Sequence, residues 1–476
     1  MNPFATTDWY VDLMRYADQL YRDELGRGLV PREGVDLGGL ASVVSQARES
    51  GAQHEDLVQW IRASEEWQRA HPPEPQPQPH PQALQGPLRL VLNPLGYVNP
   101  NNLGFADNTG FVLPVFCHAG DLLALYARDP DWACAELDDI AAAGYHGVRT
   151  WTELSGPYWD GLDRSIGPDS LIYLRNVSAF AEALRARSLR WIVSQGWRIT
   201  PAIMTDLATT LRDAGGLDVV AAVDGGNETW HLAENTPEHL RRCVDAFRAV
   251  LPVPVWSLTS PPGEDKAELD RYAGSVYDVH GSRAGHWYDK IRHAFSVAYE
   301  QKPARRLGIQ SEPPGPGELV SVTDFKDELD AEAMGLLHVM HLMSRQATVY
   351  FSSPGVSVRE RGEFSRQPGF WTVPAWARML PNDLMSWPTL LHGSSRGRIL
   401  SAVSVGDGII RVDQALDDDG RFVAIVYGPG GFHQIPVERD CELEILNQVV
   451  AKQTFVAGQQ MDTQFRRGLI VLGRLL

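Results

Sequence analysis

Three patterns of apolar spacing follow one another along the chain. Over the first 70 residues the spacing is helical. Trp9, Leu13, Met14, Tyr16 and Leu20 recur on one face, Asp8 precedes them as a cap, and Gly26 and Gly28 follow as a stop. Further helices are predicted over 37–48 and 53–69, the second carrying Leu57, Trp60, Ile61 and Trp67. Residues 71–81 read HPPEPQPQPHP, and prolines at that density favour an extended, semi-rigid segment. The expected boundaries are a helical module at 1–70 and a proline-rich linker at 71–87.

From residue 88 short apolar runs alternate with helical stretches. The runs are Val112–Phe116, Gly147–Trp151, Leu189–Ser194, Val219–Val223, Val253–Leu258, 276–279, Arg306–Gln310 and Thr348–Ser352. Helices are expected at 131–143, 177–187, 202–213, 236–249, 288–301 and 328–345. Eight strands in roughly 245 residues, each followed by a helix or helical turn, match one (β/α)8 barrel, bounded here at 88–385. An open doubly wound sheet is the rival, but no GxGxxG or GxxxxGK loop follows any run. Beyond 386 the spacing turns to strict alternation at Ile399–Val405, Ile409–Asp413, Phe422–Tyr427, Cys441–Ile445 and 469–475. Asp417-Asp418-Asp419-Gly420 and Gly428–Gly431 punctuate it as turns, which predicts a C-terminal antiparallel β domain at 386–476. The fold class is therefore multidomain α/β: a TIM barrel with an N-terminal helical module and a C-terminal β domain.

Composition narrows the partners. Lys and Arg total 43 against 60 Asp and Glu, a net charge of −17 that repels a polyanion, so no nucleic-acid partner is expected. Apolar residues at 43%, with 14 Trp, supply a large core. Cys117, Cys134, Cys243 and Cys441 form no CxxC pair, so neither a zinc site nor a disulfide scaffold is expected. Asp8, Asp12 and Arg15 interrupt any signal-peptide run, and no apolar stretch reaches membrane-spanning length. The Asp417–Gly420 turn lacks the full pattern of a calcium loop.

The chemistry of such a barrel lies at the C-terminal ends of its strands. Those ends carry Arg149, Gln195 with Trp197, Asn227 with Glu228, Thr259, His280, and Gln310 with Glu312. Glu228 and Glu312 follow the fourth and seventh runs and would face each other across the mouth. Glycoside hydrolysis uses such a pair: one carboxyl group protonates the leaving oxygen and the other attacks the anomeric carbon, with retention when they stand about 5–5.5 Å apart. Arg149 is suited to hold Glu312 charged, Asn227 to hold a sugar hydroxyl, and His280 to orient a carboxylate. His118, after the first run, is a further candidate. Trp151, Trp197, Trp230, Trp287 and Tyr288 supply rings at or beyond strand ends that suit stacking on a pyranose.

On these residues the segment over about 105–360 resembles the clan of retaining β-glycosidases that contains many cellulases, mannanases and β-galactosidases. The resemblance implies Glu228 as acid/base and Glu312 as nucleophile, and matches Arg149 and His280 to the clan's strand-two arginine and strand-six histidine. The chain departs from that pattern at His280-Gly281-Ser282, which lacks the aromatic two residues on, and at Phe351-Ser352-Ser353, which lacks the usual tryptophan. Separately, Leu20–Arg27, Gly39-Leu40 and Ile61–Glu66 resemble a small helical domain of unknown function appended to bacterial surface and secreted proteins. The expectation is a retaining O-glycoside hydrolase acting on a β-linked glycan without metal or organic cofactor. It would be extracellular, cell-surface or virion-associated, and docked through residues 1–70. The alternative is a catalytically weak or inactive glycan-binding protein.

Overall fold

The computed structural model describes residues 87–92, 103–152, 171–194, 199–225, 235–253, 255–257, 276–280, 307–313, 315, 330–352, 360–406, 408–448 and 452–476. The helices expected within 1–70, the linker and the helix at 288–301 lie outside these residues. The chain divides between Gln78 and Pro79, and every described residue belongs to the second unit.

That unit opens with an antiparallel hairpin absent from the sequence reading: β1 (Arg89–Leu92) pairs with β2 (Leu103–Asp107), which pairs with β3 (Gly110–Phe111). Among the described residues eight parallel strands follow. They are β4 (Val115–His118), β5 (Gly147–Trp151), β6 (Arg190–Ser194), β7 (Val220–Asp224), β8 (Trp256–Ser257), β9 (Tyr277–His280), β10 (Gly308–Glu312) and β11 (Gln346–Tyr350). Their order is β8-β7-β6-β5-β4-β11-β10-β9, so the first strand lies between the second and the last. This wrap-around is that of an α/β barrel, with β8 and β9 at the two ends of the order among the described residues.

Two strands shift from their expected positions, the first for a backbone reason. The first was expected at 112–116, but the Val112 amide bonds back to the Phe105 carbonyl and extends the hairpin (2.9 Å). Pro114 offers no donor, the parallel ladder starts at Val115, and His118 falls inside the strand rather than beyond it. The fifth, expected at 253–258, starts at Trp256 rather than Val253 and is described to Ser257, with Pro254 and Leu258 outside the described residues.

Helices α1 (Leu122–Arg128), α2 (Pro130–Ala143), α3 (Leu171–Ala186), α4 (Pro201–Asp213), α5 (Pro237–Val250) and α6 (Ala331–Met343) connect the strands. The short α1 was not anticipated. Local sequence sets the starts. Asp129, Thr200, Thr236 and Asp330 each accept an amide three residues on, three of them with proline in the first turn. Gly144 ends α2 in the left-handed region at φ 90°. The strands β4, β5, β6, β7, β10 and β11 are buried almost throughout, as strands covered on both faces must be.

After α7 (Thr372–Ala377) the chain builds nine further strands: β12 (Thr389–His392), β13 (Val403–Val405), β14 (Gly408–Leu416), β15 (Arg421–Tyr427), β16 (Gly431–Pro436), β17 (Cys441–Ile445), β18 (Gln453–Phe455), β19 (Gln460–Phe465) and β20 (Gly468–Leu475). One antiparallel sheet runs β12-β14-β15-β20-β17-β18, with β13 beside β14, and β16 pairs with β19. The strand expected over 399–405 is confined to Val403–Val405, because the Ile399 and Leu400 amides are held by the buried Gln414 side chain (3.0 and 2.9 Å).

Alternation along β15 and β20 divides the two cores. Val423, Ile425, Tyr427 and Ile470 join the barrel core, whereas Phe422, Ala424, Val426, Leu469 and Val471 join the core within the β domain. Polar contacts fix the same seam. Arg467 pairs with Asp330 (3.1 Å), Glu332 accepts the Arg467 and Gly468 amides (3.1 and 3.2 Å), and Arg421 stacks on Trp387 (5.1 Å).

Candidate active site

At the C-terminal ends of the parallel strands the apolar pattern is broken by charge. Arg149, in β5, is fully buried. Its Nη1 donates to Glu312 Oε1 at the end of β10 (3.0 Å), and its Nη2 donates to Asp224 Oδ2 at the end of β7 (2.9 Å). The same Asp224 oxygen accepts the Ser194 hydroxyl from the end of β6 (2.7 Å). Beside Glu312, the Ser311 amide and hydroxyl donate to Asp278 Oδ1 in β9 (3.3 and 2.8 Å). One guanidinium thus ties the second strand to the fourth and seventh.

His118 completes the set. Its Nδ1 lies 3.1 Å from Arg149 Nη1. A guanidinium only donates, so in this contact Nδ1 serves as the acceptor. Trp151 meets its ring edge-on at 5.2 Å, and Phe351, just past β11, packs on it at 4.8 Å.

Burial works to lower the Arg149 pKa. The charges of Glu312, Asp224 and Asp278 outweigh it and raise the pKa above its ordinary value. Glu312, 5% exposed, is the member of the set with a share of solvent. A carboxylate so placed accepts a charge-assisted hydrogen bond on one oxygen, which suits it to act as a nucleophile or base.

Of the residues singled out in the sequence, the structure brings together Arg149, Glu312 and His118, with Trp151 alongside. Gln310 is buried in β10 opposite Thr348. His280 closes β9 with its Cα in register with Glu312. Asn227, Glu228, Trp197, Trp230, Trp287 and Tyr288 lie outside the described residues. The sequence reading missed Asp224, Asp278, Ser194 and Ser311 as site residues. The signal was present: an aspartate within an apolar parallel strand, as in Val-Ala-Ala-Val-Asp, must find a partner when buried. Among the described residues no group of three side chains could hold a metal ion, and no helix is long and apolar enough to cross a membrane.

No family model matches the chain, and no curated protein matches it in sequence. Solved structures do match it. A protein from Bacteroides vulgatus ATCC 8482, solved as a candidate glycoside hydrolase, is similar over 84% of each chain, with TM-score 0.52 and 10% identity. The exo-β-1,4-mannosidase Op5Man5 from Opitutaceae bacterium strain TAV5 is similar over 62% of this chain and 64% of its own, with TM-score 0.41 and 16% identity. A family 39 glycoside hydrolase from Bacteroides cellulosilyticus WH2 is similar over 79% and 87%, with TM-score 0.40 and 12% identity. At such identities the first of these likenesses speaks for the fold, an α/β barrel, and for the fold alone.

Proposed function

We propose that this protein is a glycoside hydrolase that cleaves a β-linked poly- or oligosaccharide with retention, using Glu312 as nucleophile and Glu228 as acid/base. The observation that carries the reading is the hydrogen bond from the fully buried Arg149 to Glu312 (3.0 Å), at the end of the seventh parallel strand. An ion pair of that kind fixes the carboxylate and aims one oxygen, as attack on an anomeric carbon requires. The fold likeness to a protein solved as a candidate glycoside hydrolase supports the same class.

In this mechanism Glu228 gives a proton to the departing sugar while Glu312 forms the glycosyl ester. Glu228 then takes a proton from the water that cleaves the ester. Trp151, half-buried beside His118, lines the same end of the barrel, where a ring serves to hold the sugar. Residues 1–70 are proposed as a docking module, so removal of 1–78 should leave hydrolysis intact.

The test is product release from a panel of plant, bacterial and algal glycans, with the product anomer followed by NMR, for the parent and Glu312→Gln. Cleavage with retention, lowered about a thousandfold or more in the variant, is the expected result. Cleavage that survives the substitution overturns the nucleophile, and an inverted product overturns the mechanism.

A further inference from the structure

The β16–β19 pair presents two unlike faces. Inward, His433, Ile435, Met461, Thr463 and Phe465 are buried, with His433 bonded to the Pro429 carbonyl (2.9 Å) and packed on Phe465 (5.0 Å). Outward, the register sets Phe432 opposite Gln464, Gln434 opposite Asp462, and Pro436 opposite Gln460. Phe432 is 63% exposed, although a phenyl ring held on a regular strand gains by being covered. The Gln434 amide donates to Asp462 (2.9 Å), which presets one polar pair in the middle of the row. From Gln460 to Gln464 the row spans about 13 Å, at roughly 3.3 Å per residue.

At the far end of the row, Gln460 also lines a shallow, open depression with Gln453, Thr454, Phe455 and Gln459. Gln460 belongs to both features. The two form one track, with a bare aromatic ring at one end and, along the rest, side-chain amides, the Thr454 hydroxyl, Pro436 and the Asp462 carboxylate.

We propose that this track is a second carbohydrate-binding site, separate from the barrel mouth, for an extended neutral glycan. The chemistry selects that ligand. Exposed amides offer donors and acceptors for hydroxyl groups, and a single ring suits the C–H face of a pyranose. The outward row carries one charge, Asp462, in a chain of net charge −17. It has no Lys or Arg to hold a polyanion, and the nearby Lys452 is paired with Glu442 (2.6 Å). One phenyl ring is too small an apolar patch for a stable protein interface. The ligand class follows the glycosidase reading, but binding here requires no turnover.

The test uses the full chain carrying Glu312→Gln, run in native gels containing galactomannan, hydroxyethylcellulose, xylan or laminarin, with alginate as an anionic control. Retardation by at least one neutral polymer is expected. Phe432→Ala should weaken it about tenfold or more, and Gln460→Ala several-fold, with the unfolding midpoint unchanged because both side chains are exposed. With Glu312 intact, Phe432→Ala should hydrolyse small soluble glycosides at the parent rate. Absence of retardation by every neutral polymer, retardation by alginate alone, or retardation untouched by Phe432→Ala each overturns the site. Hydrolysis by the parent on the same panel is scored separately, so loss of the track leaves the glycosidase reading standing, and the reverse.

Discussion

The barrel holds a buried arginine near each end of its strands, and the two are built differently. Arg190 begins β6 and pairs with Asp107 of the opening hairpin (2.6 Å), whose carboxylate also accepts the Thr109 amide and hydroxyl (2.8 and 2.5 Å). Burial works to raise the Asp107 pKa, but the bonds from Thr109 and Arg190 outweigh it and lower the pKa. There the arginine fastens the opening hairpin to the start of β6, at the N-terminal end of the barrel strands. Arg149 instead faces three carboxylates, those of Glu312, Asp224 and Asp278. One arginine closes a structure, and the other holds more negative charge than closure needs. That excess is a sign of chemistry.

Substituting each arginine by methionine should break this comparison most sharply. Arg149→Met leaves Asp224 and Glu312 without their ion pairs, and Arg190→Met does the same to Asp107. Each should cost about 3–5 kcal/mol in urea unfolding, the penalty for an unpaired buried charge. Turnover separates them. Arg190→Met, corrected for the folded fraction, should keep the parent kcat, whereas Arg149→Met should lose it. Equal kcat in both would dissolve the distinction between the ends.

The end that carries Arg149 was the more legible of the two in the sequence. Arg149 and Glu312 stand where apolar runs stop, so their positions followed from periodicity. Asp107 and Arg190 were invisible, because β1 and β2 are short and separated by Asn- and Pro-rich sequence. Asp278 was read as part of a strand and Asp224 as the residue just beyond one, since periodicity reports burial and says nothing of which charge a buried aspartate meets. In the β domain β12, β16, β18 and β19 went unseen. Met461, Thr463 and Phe465 do alternate, but polar neighbours dilute the signal.

A second test asks how tightly the fold aims Glu312. Gly315, three residues on, lies against strand eight so closely that a Cβ there would meet the Phe351 carbonyl oxygen at 1.6 Å. Gly315→Ala must push that segment away and carry Glu312 with it. Activity should fall by about a hundredfold, as expected for a misplacement near 1 Å, with a smaller loss of stability. Unchanged kcat would mean that Arg149 alone fixes the carboxylate.

The pH response of the fold must be separated from that of the site. His338 of α6 sits between the barrel ends, bonded through Nδ1 to Thr348 Oγ1 (2.6 Å), and burial lowers its pKa to about 3. In the unfolded chain it takes a proton near pH 6.5. Its contribution is therefore complete above that pH and is lost as pH falls toward 3, by about 1.4 kcal/mol per unit. His338→Phe should lessen the slope of urea midpoints between pH 7 and 5, with buried His146, lowered to about 4, keeping its own share, while leaving the acid limb of kcat/KM in place. If both move together, the acid limb reports unfolding rather than Glu312.

The smallest contrast removes one hydroxyl at each end. Ser194→Ala takes from the buried Asp224 a hydroxyl donor at 2.7 Å. Thr109→Val takes one of two Thr109 donors from Asp107, whose amide bond at 2.8 Å remains. The first should cost about 1–3 kcal/mol, the range for stripping a donor from a buried charged group, and the second about 0.5–1.5 kcal/mol. Ser194→Ala should also alter kinetics, because a less firmly held Asp224 lets the Arg149 guanidinium swing about its bond to Glu312. A drop in kcat at constant KM would mark Ser194 as a positioning residue. A loss of stability alone, matching that of Thr109→Val, would make the two ends alike in how their arginines are braced and leave their difference to the number of carboxylates each arginine faces.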